Sequence, residues 1–253
     1  MGNMDKKTRV DTFAAEGVRK LALRIATAAV WTEEAADGQI RVEAKNLEED
    51  RYTCELREDR LVVTYKVDRV VNLPPFGGDE TEITLYLPAG LSLEDMVLEI
   101  GAGSMDLDAA PLSCIRMDVE IGAGKWKAAH LSVSDSLNVE IGAGKAKMKD
   151  VTAGSLNIDC GVGSSVYKGR VNRNINVSCG VGSCRFQLAN QERDFNYDVS
   201  CAVGSVTING NRLKSFASRK TYKNESALGT AVLECGLGSI EVRTNEVGMN
   251  FEK

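Results

Sequence analysis

A short glycine motif that recurs seven times dominates this sequence. Each copy is an alternating apolar and polar run followed by Gly-x-Gly, with Ala replacing the first glycine in one copy. The first five steps between copies are 19 to 22 residues and the last is 34. Self-similarity at this period is typical of stacked repeats in which each unit is one turn. The units, numbered 1 to 7 along the chain, occupy 96–107, 117–128, 137–148, 156–167, 175–186, 197–208 and 231–242.

The alternation within a unit predicts a β-strand. If the residue before the Gly-x-Gly segment is position 0, positions −4, −2 and 0 of unit 3 are Leu137, Val139 and Ile141. Period 2 predicts a strand with one buried face. Position +2, here Ala143, is also apolar and is predicted to point inward, and apolar residues resume at +5 and +7. We therefore predict a bend at the glycine of position +3.

These patterns predict an all-β fold, a single-stranded parallel β-solenoid of about seven turns of 19–22 residues with an N-terminal antiparallel β section. Residues 21–32 align as a degenerate copy of the unit. We expect residues 245–253 to cover the far end of the stack, because open strand edges pair with other chains. The predicted divisions are a flexible N-terminus (1–12), an N-terminal β section and cap (13–90) and the repeats (91–253), with an insertion at 210–230.

Composition excludes several function classes. Thirty-one Lys and Arg against 36 Asp and Glu give a net charge of −5, which disfavours broad nucleic-acid binding. The single histidine, His130, argues against a His-rich metal site and against chemistry that needs two histidines. No apolar run is long enough to cross a membrane, and we expect no direct membrane insertion by this chain. The oligomeric state is left open.

The compartment is predicted from the cysteines and from the N-terminal residues. Seven cysteines cannot all pair within one chain, and free thiols fit a reducing cytoplasm. The N-terminal residues do not have the layout of a signal peptide. We therefore expect a cytoplasmic protein. The alternative is association with the cell envelope, through a partner or through an anchor that the sequence does not include.

Four cysteines occupy one repeat position. Cys160, Cys179, Cys201 and Cys235 all stand at position 0, where units 1 to 3 have isoleucine. The exchange with isoleucine favours a small buried apolar residue. A metal or redox stack is the alternative, but ligands in one column do not converge on a tetrahedral zinc ion. A disulfide between Cys179 and Cys184 is disfavoured in a reducing compartment.

The glycine motifs and the carboxylates of position −1 raise three other candidate chemistries. No copy has the third glycine of a dinucleotide-binding loop or the aspartate of a calcium-binding nonapeptide, so neither cofactor nor metal is expected. Position −1 carries carboxylates that a glycosidase could use if two of them had different environments. A uniform exposed row favours a solvated face instead, partly offset by lysines beyond the bend. The carboxylates are Glu99, Glu120, Glu140, Asp159 and Glu234.

The insertion is locally basic within an acidic protein. Insertions in repeat proteins often lie on one face and bind partners, whereas the alternative here is a solvated loop. We take its cations and one tyrosine as candidate partner-binding residues: Arg212, Lys214, Arg219, Lys220, Tyr222 and Lys223.

The repeated Ile/Cys-Gly-Ala/Val-Gly-Ser/Lys strand, preceded by alternating N-terminal strands, resembles the bacterial putative-adhesin family of β-strand-repeat proteins over roughly residues 13–245. The resemblance implies a right-handed single-stranded β-solenoid, often linked to the cell envelope, and supplies no catalytic residues. We therefore expect a non-enzymatic scaffold or interaction module whose partner is a protein or an envelope component. The alternatives are a self-assembling cytoskeletal-type β-solenoid and a carbohydrate-active enzyme.

Overall fold

The computed structural model describes residues 7–66, 81–109, 111–213, 218–225 and 227–245. Within these ranges, 21 strands join one mixed sheet, and the helical elements are three short 3-10 turns at Ala15–Gly17, Glu49–Arg51 and Glu192–Asp194. The all-β prediction is confirmed. The predicted antiparallel character of the N-terminal section is only partly correct, because four of its strands run parallel to the repeats.

The strands fall into two sets along the chain. The N-terminal strands are β1 (Lys7–Ala14), β2 (Lys20–Ile25), β3 (Ala29–Ala35), β4 (Gln39–Leu47), β5 (Tyr52–Arg57), β6 (Arg60–Tyr65) and β7 (Glu82–Pro88). The repeat strands are β8 (Ser92–Ile100), β9 (Ser104–Leu107), β10 (Leu112–Ile121), β11 (Lys125–Ile141), β12 (Lys145–Cys160), β13 (Ser164–Val171), β14 (Ile175–Cys179), β15 (Ser183–Leu188), β16 (Phe195–Cys201), β17 (Ser205–Ile208), β18 (Asn211–Leu213), β19 (Ser218–Tyr222), β20 (Gly229–Cys235) and β21 (Ser239–Arg243).

Equivalent positions of neighbouring units pair in register. The strand before each bend, here called the leading strand, runs parallel to the leading strand of the next unit, so that Ile121 lies opposite Ile100 and Ile141. The strands after the bends, here called the trailing strands, pair in the same way, with Trp126 opposite Met105 and Ala146. The degenerate copy joins this stack in the expected register, since Ile25 lies opposite Ile100.

The units do not stack in chain order. Unit 7 lies between units 5 and 6, because Cys235 is opposite Cys179 on one side and Cys201 on the other. The spatial order also departs from the chain order at the N-terminal end, where β2 lies between β6 and β8 and pairs with both. The pairings of β2 and β3 with β8 and β9 also cross the expected boundary at residue 90.

Antiparallel strands cover both ends of the stack. At the N-terminal end, β5 pairs with β6, β4 pairs with β7, and β1 pairs with β4. At the other end, β19 pairs with β16 and β18 pairs with β17. The insertion therefore supplies the second cap through β18 and β19. We assigned that role to residues 245–253, of which 246–253 lie outside the described residues.

Part of the segment that we expected to be a flexible N-terminus forms a strand. Residues 7–12 belong to β1, which pairs with β4 from Ala14 opposite Gln39 to Arg9 opposite Ala44, and beyond a register irregularity Lys7 lies opposite Leu47. The segment alternates between half-buried and exposed side chains, as the outer strand of a sheet does. Residues 1–6 lie outside the described residues.

The core confirms the period-2 pattern and corrects its phase at the bend. Positions −4, −2, 0, +5 and +7 are buried almost throughout the units, as in Leu137 and Ile141. Position +2 is exposed instead of inward, with Val162 66% and Leu237 62% exposed. The glycine at +3 takes the inward place, because a Cβ there would meet the neighbouring unit; at Gly144 it would lie 2.5 Å from the Gly124 carbonyl oxygen.

Candidate functional site

The outward face of the leading strands forms a shallow groove of about 540 Å³. We call it the acidic groove. Its floor consists of positions −3 and −1 of six units, because those side chains point away from the core in a parallel, in-register sheet. The charged and amide residues that line it are Glu99, Asp118, Glu120, Asn138, Glu140, Asn157, Asp159, Asn176 and Glu234.

Position −1 places carboxylates in a column across the strands. Glu120 lies opposite Glu99 and Glu140, and Asp159 lies opposite Glu140. Adjacent strands are about 4.8 Å apart, so like charges face each other at close range. Glu99 forms an ion pair with Arg24, with a distance of 2.9 Å between Nε and Oε1. Among the described residues, no ion pair is formed by Glu120, Glu140 or Asp159.

Position −3 carries a row of hydrogen-bonded amides. The Asn138 amide donates to Asp118 Oδ1 at 2.6 Å, and the Asn157 amide donates to Asn138 Oδ1 at 2.6 Å. The Asn176 amide continues the row by donating to Asn157 Oδ1 at 2.7 Å. We did not predict this row, although the recurrence of asparagine at one position of three successive units is visible in the sequence.

The cysteine column is buried, as predicted. Cys160, Cys179, Cys201 and Cys235 are each at most 4% exposed, and all seven thiols are free. Cys184 hydrogen-bonds to Cys160, which lowers the pKa of Cys160 and raises that of Cys184. In the described part of the chain, no group of three or more His, Cys, Asp or Glu side chains is arranged to hold a metal ion. The column contributes to the core.

The candidate residues of the basic insertion are distributed over two edge strands rather than one loop. Arg212 is in β18, which borders the trailing strands, and Lys220 is in β19, which borders the leading strands. Both are exposed, as are Lys223 and Tyr222, the latter to 48%. Lys214 and the side chain of Arg219 lie outside the described residues, so their part in such a site stays a prediction.

His130 contributes to a local pair on the surface. Its Nδ1 lies 2.7 Å from Asp150 Oδ2, and both residues have a positive φ near 55° at equivalent points of neighbouring turns. Both side chains are more than half exposed. The geometry places them at an outer corner beyond the trailing strands, away from the acidic groove.

Comparison with known proteins gives structural likenesses only. No family model matches the chain, and no curated protein matches it. A cell adhesion protein from Clostridium sporogenes, named as putative, is 13% identical over 95% of this chain and all of its own, with a TM-score of 0.40. A putative adhesin from Bacteroides fragilis is 14% identical over 93% of this chain and 97% of its own, with a TM-score of 0.47.

A third solved structure is named as a putative lipid binding protein, from Parabacteroides distasonis. It is 14% identical over 97% of this chain and 98% of its own, with a TM-score of 0.45. At these identities and TM-scores the likenesses carry no argument about what this chain binds. The described residues include no helix with the length and apolarity needed to cross a membrane.

Proposed function

We propose that this chain is a non-enzymatic, adhesin-like β-solenoid of about seven turns that binds a partner through the acidic groove. The observation that carries the proposal is the in-register column of carboxylates beside a row of amides along one open face. Carboxylates accept hydrogen bonds from ammonium and guanidinium groups, and amides both donate and accept. An extended cationic segment of a protein or envelope component fits this chemistry.

Binding is favoured over catalysis because the carboxylates share one environment. Glu120, Glu140 and Asp159 are all exposed and all at position −1, whereas glycoside hydrolysis needs one carboxyl group that holds its proton and another that is ionised. All three carboxylates lie in one solvent-exposed row of the groove. A carbohydrate-active enzyme is therefore the weaker alternative, and a panel of polysaccharides would reveal it as hydrolysis that Glu120→Gln or Glu140→Gln abolishes.

Self-assembly through the ends is the other alternative. The antiparallel caps argue against it, because β18 and β19 at one end and β1 and β5 at the other do not continue the parallel stack. Light scattering over a concentration series tests the point. A molar mass that rises steadily with concentration would support polymerisation and oppose the proposed module.

The groove can be tested with a lysine-rich peptide as the probe. Calorimetric titration should detect binding that weakens as salt rises, because the contacts are between exposed charges. The double variant Glu140→Gln, Asp159→Asn should reduce the affinity by about tenfold, as expected when several charge contacts are lost. The double variant Glu33→Gln, Glu34→Gln is the matched control, since both are exposed carboxylates of β3 outside the groove. Equal losses in both variants would contradict a role for the groove.

The remaining sequence predictions belong to this proposal. Membership of the putative-adhesin family, a right-handed path and the division at residue 90 between cap and repeats stay predictions. So does the compartment, which is either a reducing cytoplasm or the cell envelope through a partner or an anchor. Fractionation of the native host with an antibody to the chain would distinguish the two compartments.

A further inference from the structure

A second charged surface of opposite sign lies across the bend from the acidic groove. The trailing strands of units 2 to 4 present cations outward on adjacent parallel strands. Lys125 lies opposite Lys145 on β11 and β12, and Lys149 lies opposite Lys168 on β12 and β13. All are exposed. We call this surface the lysine face, and it consists of Lys125, Lys145, Lys147, Lys149, Lys168 and Arg170.

The charges of the lysine face are not compensated. Within the described residues, none of its six cations forms an ion pair, whereas neighbouring Lys127 pairs with Asp106 at 2.5 Å. Like charges directly opposite each other on paired strands destabilise a sheet. The chain therefore carries a local repulsion that an anionic ligand would relieve. The sequence predicted that lysines beyond the bend offset part of the repulsion among the position −1 carboxylates. Among the described residues, no lysine of this face forms an ion pair with one of those carboxylates.

The lysine face is narrow and runs along the strands. Lys145, Lys147 and Lys149 occupy every second position of β12, so the Cα atoms of successive lysines are about 6.6 Å apart along the strand. The three strands that carry the face span about 10 Å across. On the unit 1 side it is bounded by the carboxylates of Asp106 and Asp108, which follow one another on the same outward row. The face suits a linear chain of anionic groups.

The residues in and around the lysine face distinguish among the polyanions that it could bind. A single-stranded nucleic acid needs exposed aromatic side chains for base stacking, whereas the aromatic residues of these strands, Trp126 and Tyr167, are buried. A broad anionic membrane would also meet Asp106 and Asp108, which would repel it. A second copy of this chain would have to present its own acidic groove. We propose that the lysine face binds a linear polysaccharide that carries sulfate or carboxylate groups.

The test uses a heparin octasaccharide as the probe and the full chain. We expect binding at low salt that weakens strongly as ionic strength approaches about 0.15 M. Lys145→Gln, Lys147→Gln, Lys149→Gln should lower the affinity by about tenfold or more, because three of six cations are lost. A neutral dextran should not bind. Circular dichroism and a melting curve confirm that each variant is folded.

A matched control separates a specific face from net charge. The triple variant Lys66→Gln, Arg116→Gln, Arg193→Gln also removes three positive charges, but from exposed positions outside the lysine face. It should keep the affinity within about twofold, as distant surface charges are screened. Equal losses in both triple variants, or no binding by the wild-type chain at low salt, would overturn the proposal.

Two further arms test the other occupants. Phosphatidylserine vesicles or a single-stranded oligonucleotide that bound more tightly than the octasaccharide would overturn the choice of polysaccharide. Self-association that the lysine triple variant abolished would assign the face to a second copy. The groove double variant should leave octasaccharide binding intact, so this proposal and the groove proposal fail independently.

Discussion

Cys179 lies in register with Cys235 and not with Cys201, the next cysteine along the chain at position 0. Unit 7 is consequently inserted between units 5 and 6. This order leaves the outer edge of unit 6 free for β18 and β19, the two strands of the insertion, which close that end of the stack.

Engineered disulfides should report this order directly. Ser178 and Glu234 are opposite each other, so their Cα atoms are about 4.8 Å apart, within the range that a disulfide spans. Ser178→Cys, Glu234→Cys should therefore crosslink under mild oxidation. Ser178→Cys, Ser200→Cys should not, because unit 7 separates those positions by about two strand spacings. Peptide mapping by mass spectrometry identifies the bonds, and the reverse result would restore stacking in chain order.

Alanine substitutions should affect stability differently at the two glycine positions of the bend. A Cβ on Gly144 would lie 2.5 Å from the Gly124 oxygen and 2.6 Å from Ile121 Cγ2, whereas one on Gly142 would lie 3.0 Å from its nearest neighbour. We expect Gly144→Ala to lower the free energy of unfolding by about 1–3 kcal/mol, and Gly142→Ala to cost less. Urea unfolding measures the difference.

Gly17→Ala is the control for that series. A Cβ at Gly17 meets nothing within 4 Å, so its substitution should change the stability little. If Gly142→Ala were the more damaging bend substitution, the inward assignment of position +3 would be wrong.

Buried thiols should make the fold sensitive to alkali. Burial raises the pKa of Cys114 to about 12 and that of Cys54 to about 12. In the unfolded chain a thiol ionises near its ordinary value of about 8.5, so the unfolded state gains free energy from ionisation above that pH. The stability that depends on these thiols is complete below about pH 8.5 and is lost as the pH rises towards about 12.

Urea midpoints measured at neutral pH and near pH 10.5 test this dependence. Cys114→Ala should reduce the fall in the urea midpoint between the two pH values. Val133→Ala, a buried truncation without a titratable group, should lower the midpoint by the same amount at both pH values. If the urea midpoint of Cys114→Ala fell with pH as steeply as that of the wild-type chain, this thiol would not be a cause of the alkaline sensitivity.

The amide row should contribute modestly to stability. Asn157 donates to Asn138 and accepts from Asn176, so Asn157→Ala removes two hydrogen bonds. We expect a loss of about 1 kcal/mol, since half-buried hydrogen bonds exchange with water. Asn172→Ala, at an exposed position with no side-chain hydrogen bond among the described residues, should have little effect. Equal melting temperatures for the two variants would contradict the role of the row.

The strands and their buried faces were predictable because period 2 and burial are local properties. Leu137, Val139 and Ile141 alternate in sequence and are buried in the structure. The prediction failed at Ala143, because an apolar residue at a bend is compatible with either side. Which side it takes depends on the neighbouring unit, whose backbone leaves room at position +3 only for a residue without a Cβ.

The candidate site shows the same division. The column of Glu99, Glu120, Glu140 and Asp159 follows from the repeat register, and its alignment was predictable from spacing. The candidate residues of the insertion were predicted from local charge. The sequence could not show that β18 and β19 would pair with the strands of unit 6. Strand edges accept any extended partner of matching direction, so their occupants depend on the rest of the chain.

The β-strands and the bend at each glycine pair follow from the sequence alone, since side-chain alternation and the absence of a Cβ act within one unit. Three other properties depend on long-range contacts: the order of the units, the side of the bend that each residue occupies, and the separation of the acidic groove from the lysine face. Those properties arise from pairing between distant segments, where the hydrogen bonds of many registers are equivalent and packing against neighbours selects one.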